Sequence, residues 1–261
     1  MTSTAALLNQ RAHGHVKLHM KASGVDQLRE VGCAKVRLPP GTREAFLINT
    51  AGGLAGGDDI SYDLALAQHS KLTITSQAAE RVYRSLGPPA KIESNINLEA
   101  ESNLNWLPHE TILFDGASLI RRINIDLNQS ARFLGLEATI FGREASGENI
   151  NTIFFREEWR IHRSGKLIHS DIIKLDGALP NSKATLGNNR AIATIILIGP
   201  NASVDLEKLR ETIGTNGGAS AWNGKLVARL IAKDGMILKK AIVSALSVLA
   251  SPAELPKTWA L

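Results

Sequence analysis

A mainly β fold with two helices near its end is predicted for this chain, on three observations. Apolar and polar residues alternate with a period of two through the first three-quarters of the sequence. β-Branched residues recur in those runs, and Gly, Pro, Asn or Asp punctuates many of the gaps between them. Helical periodicity appears only late. Strands this numerous, with no helical stretch between them, argue against a parallel α/β sheet and for an all-β body.

The elements follow in order. Ile60, Tyr62, Leu64 and Leu66 alternate with Ser61, Asp63, Ala65 and Ala67, and "KLTITSQ" repeats the pattern with Leu72 and Ile74. "KIESNINLEA" continues it with Ile92, Ile96 and Leu98, and "RRINIDL" with Ile123, Ile125 and Leu127. "RFLGLEATIF", "NTIFFREEWRIHR", "KLIHSDIIKL" and "AIATIILIG" are the next strands. "SVDLEKLRETIG" reads as a helix, with Ser203 or Asp205 as N-cap, Leu206, Leu209 and Ile213 on one face, and Gly214 as the stop. "MILKKAIVSALSVLA" places Leu238, Ala241, Ile242, Ala245, Leu246 and Leu249 on one stripe, ended by Ser251-Pro252. "GTNGGASAWNG" is the most linker-like stretch, but the strand "KLVARLIAK" follows at once, so 1–261 is read as one domain with no internal repeat.

Composition narrows the function. The chain has 261 residues, 44% apolar and 21% charged, with 30 Lys and Arg against 25 Asp and Glu, a net charge of +5. The excess is spread out, and the cationic runs Arg121-Arg122 and Lys239-Lys240 are only pairs. Nucleic-acid binders concentrate charge on one face, so no nucleic-acid partner is expected. Cys33 is the single cysteine, which excludes an internal disulfide and a thiolate cluster. No basic region followed by a long apolar stretch opens the sequence, and "AIATIILIG" and "AIVSALSVLA" are too short to span a bilayer. A cytoplasmic protein without membrane attachment is the expectation.

The stretch "AGGLAGGDD" raises the question of a phosphate cradle. Gly52 has Gly57 five positions on, but Asp58 stands where a P-loop requires lysine, and a carboxylate repels phosphate. The loop also leads into a strand rather than a helix N-terminus. It reads as a tight turn whose glycines take positive φ. "HETIL" lacks the second histidine of the zinc motif H-E-x-x-H, with Leu113 in its place. Glu110 and Asp115 are two carboxylates on an all-β scaffold, which leaves a carbohydrate-active hydrolase as the alternative function. On a strand, His13, His15 and His19 share one face, either as a metal cluster or as a solvated edge.

Four stretches then fall in order: "INTAGGLAGGDDISYDL", "SQAAERVYRS" (76–85), "WLPHETILFDGASLIRRINIDL" (106–127) and "FGREASGE" (141–148). Together with the closing "LPKTWAL" (255–261), they resemble the urease accessory protein UreD family, called UreH in some systems. The likeness is dense over about 28–150, thin over 150–250, and returns at the C-terminus. Ser76 stands for the family's Thr, and Glu80 reads as a charge reversal of a frequent Lys. The resemblance implies strands wound helically plus two helices, so the fold expected is a many-stranded antiparallel or β-helix-like body.

It also implies a chaperone that performs no catalysis and has no bound cofactor, with nickel only in transit. The expected partners are UreF, UreG and urease apoprotein, with nickel insertion into urease as the outcome. Nickel in transit requires exchangeable oxygen donors rather than imidazole or thiolate traps. Asn49, Asp58, Asp59, Asp63, Gln77, Glu110, Asp115 and Glu148 supply them, as lining of a polar passage or as turn and cap residues. Tyr83 and Arg84, and Trp259 exposed by its terminal position, are the candidate partner contacts.

Overall fold

The structure is a computed structural model that describes residues 11–143, 147–250 and 255–259. It contains β1 (His13–Lys21), β2 (Gly24–Gly32), β3 (Ala34–Arg37), β4 (Glu44–Asn49), β5 (Asp59–Leu66), β6 (Lys71–Ser76), β7 (Glu80–Val82), β8 (Ala90–Leu98) and β9 (Asn103–Trp106). There follow β10 (Thr111–Leu113), β11 (Ser118–Leu127), β12 (Arg132–Phe141), β13 (Ile153–Arg163), β14 (Lys166–Gly177), β15 (Ala191–Ile198), α1 (Leu206–Ile213), β16 (Gly217–Trp222), β17 (Lys225–Ala232) and α2 (Gly235–Leu249).

The strands form two facing sheets. One runs β14-β13-β11-β8-β5-β1-β2 and the other β16-β17-β15-β12-β9-β6-β4-β3, extended by β7 and β10. The chain passes from one sheet to the other and back, so strands of successive coils lie side by side. β1-β5-β8-β11-β13 and β4-β6-β9-β12 pair in parallel without any helix between them. Antiparallel pairing is confined to the flanks, where β2, β3, β14, β15, β16 and β17 are added. Both halves of the expected architecture are therefore present, the winding at the centre and the antiparallel strands at the edges.

Winding creates a repeat that the residues do not spell out. Contacts between one coil and the next recur 31 residues apart: Asn49 with Glu80, Gly52 with Tyr83, Arg84 with Asp115, and Trp106 with Glu137.

Period-two alternation fills the space between the sheets. Ile60, Tyr62, Leu64 and Leu66 of β5 point inward, as do Leu119, Ile123, Ile125 and Leu127 of β11. β12 and β15 are buried almost throughout, because α1 and α2 cover the outer face of their sheet. A strand covered on both faces reads as the continuous apolar run "AIATIILI". α1 ends at Gly214 (φ +50°) as predicted, and Asp205 occupies its N-cap position but makes no capping bond with its side chain. α2 is capped by Asp234, whose Oδ1 accepts the Ile237 N–H at 2.7 Å. The predicted stop at Ser251-Pro252 lies outside the described residues.

Candidate functional site

The glycine loop is a shaped turn. Gly52, Gly53 and Gly57 take φ of +76°, +144° and +86°, as expected of glycines in a tight turn. A Cβ on Gly53 would meet Tyr83 Cε2 at 2.5 Å, so the loop lies flat against the next coil. Asp58, buried at its end, ties two segments together: Oδ1 accepts the Ala12 N–H at 2.9 Å and Oδ2 the Ala55 N–H at 2.7 Å.

This loop forms one wall of a cavity of about 230 Å³ between the sheets. Asn49 and Gln77 line it, and so do Glu80, Tyr62, Trp106, His109, Thr111, Arg121 and Glu137. Asn49 Nδ2 donates to both oxygens of Glu80, at 3.2 and 3.1 Å. Burial pushes the Glu80 carboxyl above its ordinary value, against the stabilising bonds from Asn49 and the Arg81 N–H. Burial likewise lowers His109, which therefore stays neutral.

The deep wall of the cavity carries a cluster of buried charge. Arg121, Glu137 and Glu157 are 3%, 5% and 2% exposed. Arg121 Nη1 lies 2.8 Å from Glu137 Oε2 and donates to Thr111 Oγ1 at 2.8 Å. Nε donates to Glu157 Oε2 at 3.0 Å, and Nη2 to the same oxygen and to Thr139 Oγ1 at 2.9 Å. Each carboxylate also receives an indole N–H, Glu137 from Trp106 at 2.9 Å and Glu157 from Trp159 at 3.1 Å. Desolvation, opposed by Arg121 and reinforced by Glu157, pushes Glu137 up to about 7.

None of these three was singled out as a site residue from sequence, where Arg121 was noted only as half of a cationic pair. Strand parity explains its burial: Arg121 shares the inward side of β11 with Leu119 and Ile123, and of the pair only Arg122 faces out. The same parity was the available signal for Glu137, an acid at an inward position of "RFLGLEATIF" between Phe133 and Phe141.

The remaining candidates are dispersed. Asp59 pairs opposite His13 and Lys91 in its ladders, at the start of β5. Asp63 is on the outer face, bonded to His15 Nε2 at 2.8 Å and Asn95 Nδ2 at 3.1 Å. Glu110 adjoins the cavity wall, its Oε2 3.9 Å from His109 Nδ1. Asp115 accepts the backbone N–H groups of Asn151 and Thr152 at 2.7 and 3.2 Å and pairs with Arg84. Those two N–H bonds, more than Arg84, hold its carboxyl below the usual range. Glu148 bonds the Asp115 N–H at 3.2 Å and the Arg143 N–H at 2.9 Å.

Glu110 and Asp115 do not form a hydrolase pair. They are engaged apart, Glu110 beside His109 at the cavity wall and Asp115 with the Asn151 and Thr152 N–H groups and Arg84 in the groove beside Tyr83. The histidines of β1 do share its outward side, but His15 pairs with Asp63 and His19 with Asp26 at 2.9 Å. Among the described residues, no three His, Cys, Asp or Glu converge as a metal group.

Two further corrections concern partner contacts. Trp259 is not exposed: it is 2% accessible, donates from Nε1 to Leu107 O at 2.9 Å, and stacks on His109 with centroids 4.9 Å apart. An apolar ring near a chain end docks when a groove beside it remains open to fill. Glu80 is no surface charge reversal either. In register, the basic position of the motif falls on exposed Arg81, and Glu80 turns toward the cavity. Tyr83 and Arg84 do reach the surface, in a groove with Phe114, Asp115, Arg143 and Glu148. Tyr83 is 38% exposed, and its hydroxyl donates to Gly52 O at 3.1 Å.

Coiled sheets around a cavity of mixed polar and apolar lining, with two helices on one outer face, define a β-solenoid scaffold. No described helix is long and apolar enough to cross a membrane. The family model for UreD urease accessory protein matches residues 10–260. The urease accessory protein UreD of Rhizobium leguminosarum bv. trifolii (strain WSM2304) is 42% identical over 270 residues, covering 99% of each chain. That of Rhizobium etli is 43% identical over 261 residues (96% of each), and that of Agrobacterium fabrum 42% over 260 (96% of this chain, 92% of the relative). The chain belongs to the UreD family of urease accessory proteins.

Proposed function

We propose that this protein is a urease-maturation chaperone that performs no reaction of its own. It binds urease apoprotein together with UreF and UreG in the cytoplasm and gives a nickel ion a hydrated route toward the urease active site. The cavity inside the coil carries this reading: a minority of polar and charged groups, Asn49, Gln77, Glu80 and Glu137 among them, converges on a space that a scaffold only bridging other proteins would not need. At about 230 Å³ the cavity has room for several waters, each of which occupies about 30 Å³ in the liquid.

Its entrance chemistry suits transit. Asn49, Gln77 and Glu80 offer amide and carboxylate oxygens, and His109 supplies one imidazole. Divalent nickel prefers nitrogen and sulfur donors, so a few separate oxygen donors let the ion leave again. Of the eight residues expected to line a passage, Asn49 and Gln77 line this cavity together with Glu80, which supports the reading. Asp58, Asp115 and Glu148 instead tie backbone segments together. Tyr83 and Arg84 are the partner-facing residues of this proposal, because exposed aromatic and arginine side chains are enriched at interface hot spots.

Co-purification tests the scaffold role. Tagged protein co-expressed with urease apoprotein, with and without UreF, is expected to retain the apoprotein, and urease made without this protein at limiting nickel is expected to be metal-poor. Fully loaded urease in its absence would contradict the proposal.

A further inference from the structure

The buried cluster has a mismatch in charge that its hydrogen bonds do not remove. Arg121 brings one positive charge and two carboxylates meet it. The guanidinium has five N–H donors, and five contacts use them: two to Glu157, one to Glu137, and one each to Thr111 and Thr139. With both carboxylates ionised, the cluster carries a net negative charge that its largely buried, low-dielectric surroundings disfavour.

The neighbours do not balance it. From β5 comes Tyr62, neutral because burial raises its hydroxyl. From β7 comes Glu80, a further acid, and from the segment before β10 comes neutral His109. β9 contributes Trp106, and on β15 the residue paired with Glu137 is Thr194. The other cation along the wall is Arg81, which is exposed.

The two acids are not equivalent. Glu157 holds two guanidinium bonds and the Trp159 indole, whereas Glu137 holds one of each kind and faces the cavity. A proton entering the cluster therefore settles on Glu137.

We propose that Glu137 is the proton switch of the cavity: it carries a proton when the cavity is empty at neutral or lower pH, and gives it up to cavity water when the cavity takes a divalent cation. The first half concerns the metal-free protein alone; the second rests on the nickel route proposed above. The step balances as a carboxylic acid becoming a carboxylate, with its proton leaving through the cavity water and the entering cation supplying the compensating charge. No bond other than O–H is broken. Below the transition the cluster is neutral, and above it the cluster is negative and draws cations inward. The upward shift of Glu137 to about 7 agrees with the geometry and sets where the switch sits.

The test begins with metal-free protein carrying ¹³C-labelled glutamate, so that it does not depend on the nickel route. Isotope-edited infrared spectra are expected to show a protonated carboxyl band at pH 6 that is half lost near pH 7 and absent at pH 8.5. The band disappears in Glu137→Gln. It also disappears in Glu157→Gln, where one guanidinium meets one carboxylate. Absence of the band from the wild type at pH 6, or its survival in Glu137→Gln, overturns the proposal, and the wild-type spectra decide it even if a variant fails to fold. The second arm adds nickel in weak buffer at pH 6.5, where the wild type is expected to release more protons than Glu137→Gln. Equal release overturns the exchange and leaves the nickel route to its own test.

Discussion

Replacing Arg121 with Met probes the buried cluster most sharply. Methionine keeps much of the apolar stem but removes the charge that Glu137 and Glu157 both meet and the donors to Thr111 and Thr139. Removing one partner of a buried ion pair costs about 3–5 kcal/mol. Here two carboxylates lose their cation at once, so the upper end of that range is expected at pH 8, a large part of the ~5–15 kcal/mol that holds a domain folded. The cost depends on pH, with a fixed sign. In the variant Glu137 loses the guanidinium that opposes its desolvation, so its carboxyl is held further above its unfolded value, the folded state binds more protons and stability falls as pH rises. At pH 5 Glu137 takes a proton and much of the cost disappears. Wild type has a shallower slope of the same sign between about 4.5 and 7, from Glu137. Urea unfolding read by tryptophan fluorescence measures this, since Trp106 and Trp159 bond the two carboxylates directly. A loss under about 1 kcal/mol, the scale of one ordinary hydrogen bond, or the same loss at pH 5 and pH 8, would refute the reasoning.

Three other outcomes are expected. Trp259→Ala empties a buried site and removes the bond to Leu107 O, so urea unfolding is expected to show a loss of about 3–5 kcal/mol. Gly53→Ala must hold φ +144° against the Tyr83 ring, lowering the melting temperature by several degrees; adding Tyr83→Ala removes the clash but not the strained dihedral, so recovery is only partial. Asp63→Leu changes the outer face of β5 and is expected to leave nickel per urease active site unchanged; a fall would mean that the route follows that face.

Much of the fold was legible because alternation is enforced by burial. Every other residue of β5 and β11 faces the core, so the strands announce themselves. Parallel winding was not legible from periodicity, since a strand alternates alike in either orientation; it entered only through the resemblance. The 31-residue spacing leaves no visible repeat because each coil meets different neighbours: Asn49 opposite Glu80 lines the cavity beside the glycine loop, while Trp106 opposite Glu137 belongs to its deep wall.

The site was legible in part. Asn49 and Gln77, chosen through motif context, line the cavity, whereas Asp58 and Asp115, equally polar, tie backbone segments together because their turns leave N–H groups that need acceptors. Arg121 and Glu137 were passed over, since attention to charge runs hides single charges placed on an apolar side. Trp259 was misplaced because nearness to a chain end says nothing about which groove stands open to receive it.

Obstructing the cavity tests the account most directly. Ala79 lines the wall and is half-buried, so Ala79→Trp adds bulk at the entrance without disturbing the core. Nickel per urease active site, measured after co-expression at limiting metal, is expected to fall severalfold while urease apoprotein still co-purifies with the variant. Full nickel loading with the cavity blocked would contradict the account.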